Sequence, residues 1–323
     1  MGIAVRLGSS ATRLAVTAHS HYGFGGSLAT GDFNSDGKAD LAADSTQTTY
    51  IYRGGFAKSG TTGKVTKHVP SPSVADILEP TALVAGKVTK DKAADLYILG
   101  QGYKNDKVTQ AAWFLRGGTT VKSGKFTTYN GSSPDYSPAG VIADFDKNGY
   151  GDLAVNDTPC NNGAGSVVAL RGGASGPTTN YRLTQSTSGV VTAATKHDGF
   201  GYALSASDTN RDGYPDLAVD VPEEKVGSVT YAGGVHVLRG SKKGLTGTSS
   251  QWFTRATAGV PGSATQYSMF GRLYVRLRDR DRDGDADLLI SDNGTPSVLL
   301  RAGTTPITTG SATEPTLRAN FPQ

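Results

Sequence analysis

Four stretches of this chain place oxygen-bearing side chains at alternate positions on a backbone broken by glycine. The first reads Asp32-Phe33-Asn34-Ser35-Asp36-Gly37-Lys38-Ala39-Asp40; the others are 144–152 (DFDKNGYGD), 208–216 (DTNRDGYPD) and 279–287 (DRDRDGDAD). Counted from the first Asp, oxygens fall at positions 1, 3, 5 and 9, glycine falls at position 6, and position 7 can offer its peptide carbonyl. Such a set suits a hard cation: Ca²⁺ takes six to eight oxygens, whereas Mg²⁺ resists exchanging its waters for an all-protein cage. The candidate ligands are Asp32, Asn34, Asp36, the carbonyl of Lys38, and Asp40. In the second loop they are Asp144, Asp146, Asn148, the carbonyl of Tyr150, and Asp152. In the third they are Asp208, Asn210, Asp212, the carbonyl of Tyr214, and Asp216. In the fourth they are Asp279, Asp281, Asp283, the carbonyl of Asp285, and Asp287. Turn chemistry alone accounts for one loop rich in Asp, Asn and Gly. It does not account for three or more carboxylates crowded into nine residues in every copy, which repel one another without a cation.

A fifth copy, 86–95 (GKVTKDKAAD), is degenerate. Lys87, Thr89 and Lys92 stand where Asp, Asp or Asn, and Gly belong, and only Asp91 and Asp95 survive. Two carboxylates cannot satisfy a dication, so four calcium sites are expected and this loop is expected to hold none. The Lys87 ammonium is expected beside Asp91 or Asp95 as a built-in cation. Position 12 separates all these loops from the EF-hand, which places a bidentate Glu there and runs on into a helix. Here position 12 is Ala43, Val155, Val219 or Ile290, inside the short apolar runs LAAD, LAVN, LAVD and LLIS. Such runs read as buried strands, so each loop joins two strands.

Other features recur around the loops. An aromatic-glycine pair precedes them at Phe24-Gly25, Phe200-Gly201 and Phe270-Gly271, eroded to Glu79-Pro80 and Tyr136-Ser137 elsewhere. A short first strand follows, as at Ser27–Thr30 and Leu204–Ser207. A third strand ends in Arg-Gly: YIYRGG (50–55), WFLRGG (113–118), VVALRGG (167–173), VHVLRGS (235–241) and a worn VLLRAG (298–303). A Thr-rich fourth strand completes the unit, as at 64–69 and 125–129. Four antiparallel strands per repeat describe a β-propeller blade.

The repeats resemble the FG-GAP repeats of integrin alpha-chain propellers and of secreted bacterial FG-GAP and VCBS-type proteins. The aromatic-glycine pair, the DxNxDGxxD loop and the following strand carry the resemblance, which covers essentially the whole chain. The literal Gly-Ala-Pro is absent; Asn156-Asp157-Thr158-Pro159 or Asp220-Val221-Pro222 fills its place. The resemblance implies an all-β protein, one β-propeller domain over 1–323, with blades at 22–77, 78–134, 135–198, 199–267 and 268–323. Residues 1–21 read as a half blade, because IAVRLGSS lines up with VHVLRGSK at 235–242. Many relatives have seven blades, so the chain is expected either to be part of such a ring or to close a smaller one with its N-terminal hairpin. An unclosed ring exposes an edge strand and invites oligomerisation.

Composition narrows the class. The 43 glycines and a 37% hydrophobic fraction fit many short strands and turns, and no run approaches a membrane span. The formal charge is +4 with 28 acidic residues. Four bound dications would raise it to about +12, a basic surface suited to an anionic partner such as an acidic polysaccharide, cell-wall polymer or nucleic acid. Of the partner classes, a protein or an anionic glycan is expected and nucleic acid is disfavoured. Loops of this type bind calcium weakly in extracellular modules, with dissociation constants of roughly 10⁻⁴–10⁻³ M, and stand empty in cytosol. A secreted or cell-surface setting is therefore expected. Met1–Arg6 does not read as a signal peptide, so a leader is expected to have been removed or to lie upstream. Cys160 is the sole cysteine and cannot form an intramolecular disulfide.

Catalytic signatures are scarce. No Gly-x-Ser-x-Gly elbow occurs, His21 and His197 share an H-x-G-F-G turn context, and His19, His68 and His236 form no ligand spacing. Trp113 reads as core and Trp252 as a surface aromatic on an inter-blade segment. The expected function is a binding or adhesion module for a protein or glycan. The alternatives are a polysaccharide lyase or hydrolase with a site on the propeller face, or a non-catalytic scaffold.

Overall fold

The structure is a computed structural model that describes residues 4–7, 10–13, 23–56, 63–70, 77–104, 107–131, 138–293, 296–302 and 307–315. His19 and His21 lie outside them. The chain is all-β and divides into two compact units, Met1–Pro138 with Gly172–Thr178, and Ala139–Arg171 with Thr179–Gln323.

The first unit begins with a two-stranded antiparallel pair, β1 (Ala4–Leu7) and β2 (Ser10–Arg13). Two four-stranded antiparallel sheets follow, each in simple sequence order. One holds β3 (Leu28–Gly31), β4 (Asp40–Ser45), β5 (Thr48–Tyr52) and β6 (Val65–His68). The other holds β7 (Ile77–Gly86), β8 (Asp95–Lys104), β9 (Lys107–Arg116) and β10 (Lys122–Gly131). The second unit repeats the pattern with β11 (Gly140–Ala143), β12 (Asp152–Asn156), β13 (Val167–Leu170) and β14 (Asn180–Leu183). Its next sheet is β15 (Leu204–Ser207), β16 (Asp216–Val221), β17 (Gly234–Arg239) and β18 (Thr246–Phe253). The last has β19 (Val275–Arg278), β20 (Asp287–Ile290) and β21 (Val298–Leu300), with Leu299 bridged to Thr313.

These sheets are β-propeller blades, and the sequence explains their layering. In the sheets β3–β6, β11–β14 and β15–β18 the second and third strands are rich in apolar residues and buried along their whole length. Loop position 2 drives a large ring into this packing twice: Phe33 joins the core of Ile51, Ile98 and Trp113, and Phe145 joins that of Val219 and Leu238. Phe200 and Phe270 of the aromatic-glycine pairs are fully buried. Burying such a side chain is worth about 1.5–3 kcal/mol, which anchors the polar loop beside it. Trp113 is core, as expected. Trp252 is not on an inter-blade segment: it lies in β18, half-buried, its ring 4.3 Å from that of His236. Antiparallel pairing of Trp252 with His236 places it there, which the sparse hydrophobics of the fourth strand had hidden.

Candidate metal centres

Every candidate loop joins the first and second strands of its sheet, as expected. The four intact loops share one backbone path. Position 4 is left-handed at Ser35, Lys147, Arg211 and Arg282 (φ 62°, 55°, 58° and 66°), and so is the glycine at position 6, with φ between 80° and 97°. Side-chain oxygens hold that path. The position-1 carboxylate accepts the glycine amide: Gly37 to Asp32 at 2.9 Å, Gly149 to Asp144 at 2.7 Å, Gly213 to Asp208 at 2.7 Å, Gly284 to Asp279 at 3.0 Å. The position-5 side chain accepts the amide of position 7 at 2.8–2.9 Å in all four, onto Asp36, Asn148, Asp212 and Asp283. In the fourth loop one oxygen each of Asp279, Asp281 and Asp283 lies within 4.8 Å of the others. Asn34 and Asn210 take the middle place in the first and third loops, where each donates its amide to the next Asp at 2.9 and 3.0 Å. That bond from Asn34, followed by the Lys38 amide, holds the Asp36 carboxyl below the usual carboxylate range.

Position 9 behaves differently. Asp40, Asp95, Asp152, Asp216 and Asp287 are wholly buried at the start of the second strand. Asp40 accepts the Phe33 amide at 3.0 Å and the Gly54 amide at 2.7 Å. Asp216 accepts the amides of Thr209 at 3.2 Å and Gly240 at 3.0 Å, together with the Thr209 hydroxyl. Asp287 accepts those of Arg280 at 3.2 Å and Ala302 at 3.1 Å, and is not among the three gathered carboxylates of its loop. This carboxylate thus clasps loop position 2 to the residue after the third strand. Burial pushes the Asp216 and Asp287 carboxyls above their ordinary value.

The arginine that ends the third strand recurred in the sequence without an assigned role. It proves to be the cation of each loop. Arg53 meets Asp40 at 3.0 Å, Arg171 meets Asp146 at 2.5 Å, and Arg239, itself buried, meets Asp216 at 2.7 Å. Arg301 pairs with Asp281 and lies 3.9 Å from Asp287. The repulsion among loop carboxylates is therefore met in part within the fold.

Neighbouring loops are also tied to one another inside each unit. In the first, the Ala94 amide donates to the Asp32 carbonyl at 2.8 Å and the Gly118 amide to that of Phe33 at 2.9 Å. In the second, Ser241 donates to Phe145 at 3.1 Å and Ala286 to Asp208 at 3.4 Å. There the left-handed position 4 throws a cation onto the next loop. Lys147 Nζ reaches the Asp212 carbonyl at 3.4 Å and lies 5.4 Å from the centre of the Tyr214 ring. Arg211 binds the Asp283 carbonyl, and its Nε meets the buried Asp285 carboxylate at 2.6 Å.

The degenerate loop keeps the clasp and the position-5 bond, in which Asp91 accepts the Ala93 amide at 3.1 Å, and loses the position-1 carboxylate. Asp95 accepts the amides of Val88 at 3.1 Å, Thr89 at 2.8 Å and Gly117 at 2.9 Å, and the Thr89 hydroxyl at 3.0 Å. The expected cation is replaced: Asp91 pairs with Arg116 at 3.1 Å, while Lys87 Nζ donates to the Lys92 carbonyl. Lys87 thereby closes the link from position 1 to position 6 with the polarity reversed, a donor standing where the other loops place an acceptor. A four-carbon stem carries the ammonium across the loop to a carbonyl, and the nearer guanidinium from β9 takes the carboxylate.

Outside the loops, one polar cluster is built into the second unit. Gln185 Nε2 donates to Glu224 at 2.6 Å and to the Thr192 hydroxyl at 3.0 Å, which lies 2.8 Å from His236 Nε2. Burial, then the neighbouring Asp198, pushes the Glu224 carboxyl up to about 7. Burial lowers His236 to about 3, so it stays neutral. His197 is an exposed turn residue with φ 72°.

Known proteins match this arrangement in part. The sequence matches the FG-GAP repeat family at residues 24–52 and 200–238, the cores of the first and fourth sheets. Phosphatidylinositol-glycan-specific phospholipase D from Rattus norvegicus and from Bos taurus are each 36% identical to the chain over 107 residues, 32% of this chain and 13% of theirs. The Homo sapiens protein is 35% identical over the same length. The chain thus spans about an eighth of these relatives. Among solved structures, an Agrocybe aegerita lectin described as recognising non-reducing terminal N-acetylglucosamine superposes with a TM-score of 0.50 at 13% identity, over 87% of this chain and 64% of that one. At that identity the likeness speaks to fold alone. Together the repeats, the sheet topology and these matches show a chain that carries FG-GAP repeats at 24–52 and 200–238 and is built of β-propeller blades.

Proposed function

We propose that this chain is a calcium-stabilised extracellular binding module whose partner is a glycan. The observation that carries the reading is the fourth loop, where three carboxylates gather within 4.8 Å on a backbone path that three other loops repeat. Side chains at positions 1, 3 and 5 and the carbonyl at position 7 would hold the ion, with position 9 contributing whatever lone pairs its clasp leaves. Bound calcium would supply stability: at ten times its dissociation constant each ion adds about 1.4 kcal/mol to the folded state. The weak affinity of such loops supports an extracellular setting. No helix among the described residues is long and apolar enough to cross a membrane. The propeller is a common binding scaffold, and the lectin of similar fold makes a glycan the partner class to test first. Calorimetric titration with calcium, followed by an oligosaccharide array with and without chelator, tests both halves. Four ions and a chelator-sensitive glycan signal are expected; no calcium uptake by verified metal-free protein would overturn the first half, and a blank array the second.

A further inference from the structure

Two junctions between sheets of the second unit are built alike. At the first, the Gly199 amide donates to the Gly163 carbonyl at 2.9 Å and the Phe200 amide to that of Ala164 at 2.9 Å. At the second, Met269 donates to Tyr231 at 3.0 Å and Phe270 to Ala232 at 2.9 Å. Tyr231 therefore stands where Gly163 stands, Met269 where Gly199 stands, and Tyr267 where His197 stands. The backbone conformation is retained while the glycines are gone. Gly163, Gly199 and His197 have φ of 83°, 74° and 72°; Tyr231, Met269 and Tyr267 have 55°, 47° and 64°. Glycine adopts this region without steric penalty, and large side chains adopt it only at a cost in free energy. Such strain persists where the side chain serves something other than stability.

The side chains so displayed do not serve the core. The Tyr231 and Tyr267 rings stack with centroids 5.1 Å apart and planes 16° apart, yet remain 37% and 55% exposed. Their loops are pinned: Ser268 Oγ donates to the Ala232 carbonyl at 3.0 Å, and Gln266 Nε2 to the Thr230 hydroxyl at 3.0 Å. Five residues after Tyr267 in the chain, the Arg272 guanidinium lies 5.0 Å from the centre of the Tyr202 ring. It donates to Glu223 at 3.4 Å and to the Met269 sulfur at 3.4 Å. An exposed aromatic stack linked through Met269 to a paired donor and acceptor with no net charge matches one ligand chemistry. The apolar C–H face of a sugar ring packs on an aromatic ring, and its hydroxyls need donors and acceptors together.

We propose that this junction is a carbohydrate platform, with a neutral pyranose ring stacked on Tyr267 and its hydroxyls bonded by Arg272 and Glu223. The proposal rests on the glycan-binding reading above and narrows it to one place and one charge class. The test is an array of neutral and acidic oligosaccharides probed with the calcium-loaded protein, then titration of the strongest binder. Two variants are compared, Tyr267→Ala and the double change Tyr231→Gly with Met269→Gly, which restores the glycines of the sister junction. Each should bind a neutral oligosaccharide at least tenfold more weakly, and the double variant should melt at or above the wild-type temperature. Undiminished binding by both variants would overturn this platform while leaving the glycan reading standing. A double variant that melts lower and still binds would show that the aromatics serve the fold, and binding confined to acidic oligosaccharides would equally overturn the proposal. A wild-type protein that binds nothing on the array would overturn both readings.

Discussion

Asp95→Ala separates the clasp from the ion. Its loop retains only Asp91 and Asp95 of the candidate ligands, so calcium should not confound the result. The carboxylate accepts four bonds, from the amides of Val88, Thr89 and Gly117 and from the Thr89 hydroxyl, all of them buried. Alanine leaves those donors without their acceptor, and an unsatisfied buried polar group costs about 1–3 kcal/mol. The Thr89 hydroxyl can rotate to another acceptor. One water fits the vacated space and can serve up to two of the amides. One or two orphaned donors remain, which puts the loss at about 3 kcal/mol. Asp95→Asn should lose nearly as much, because its amide keeps one acceptor but turns N–H toward donors. The assay is urea unfolding followed by tryptophan fluorescence, with Trp113 in the same blade, in excess chelator and again in millimolar calcium. Equal losses in both conditions are expected. A loss below about 1 kcal/mol, or one that appears only with calcium, would refute the clasp as the reason this aspartate stands in a loop stripped of most of its other ligands.

Further outcomes follow from the same geometry. Asp281→Asn with Asp283→Asn should reduce calcium uptake by one ion in calorimetry and shrink the calcium-dependent rise in melting temperature; uptake unchanged from wild type would count against the fourth site. Arg211→Ala should weaken calcium binding in the loop at 279–287 as well as in its own, since its guanidinium holds the Asp283 carbonyl and the Asp285 carboxylate; site-resolved titration showing only the local loop affected would exclude that coupling. Arg239→Ala removes one partner of a buried pair and should destabilise by about 3–5 kcal/mol, whereas exchange for Met should cost less. Glu224 holds its proton to about pH 7 in the fold, against an ordinary value of 4.5. Its contribution is therefore fully present below about pH 4.5 and is lost as the pH rises toward 7. Because the carboxyl is partly solvated, the fall is worth about 1 kcal/mol, well below the unscreened conversion. Glu224→Gln should flatten that slope in pH-dependent unfolding, and a slope unchanged by the substitution would mean another group titrates.

Much of this protein is readable from local pattern. Oxygens at alternate positions around a glycine announce the loops, and short apolar runs after them announce the second strands, because these signals lie within one turn or one strand of chain. The sheet topology follows from their repetition. What local pattern could not assign is the partner of each position-9 carboxylate. Asp40 and Arg53 are 13 residues apart, and Asp216 and Arg239 are 23 apart. They meet because antiparallel pairing of Leu41 with Tyr52, and of Leu217 with Leu238, continues by one residue. The register decides the contact, and register belongs to the folded sheet. The same reason hid the replacement of Lys87 by Arg116 at Asp91, where the nearer cation in space is 25 residues away in sequence. It also hid the stacked tyrosines, which sit on separate connections and share a surface only once Met269 and Phe270 bond back to Tyr231 and Ala232. The sequence by itself determined which residues could hold a cation and which strands would carry them. Tertiary structure alone decided which charges those residues face, because pairing distances across a sheet are set by register and not by separation along the chain.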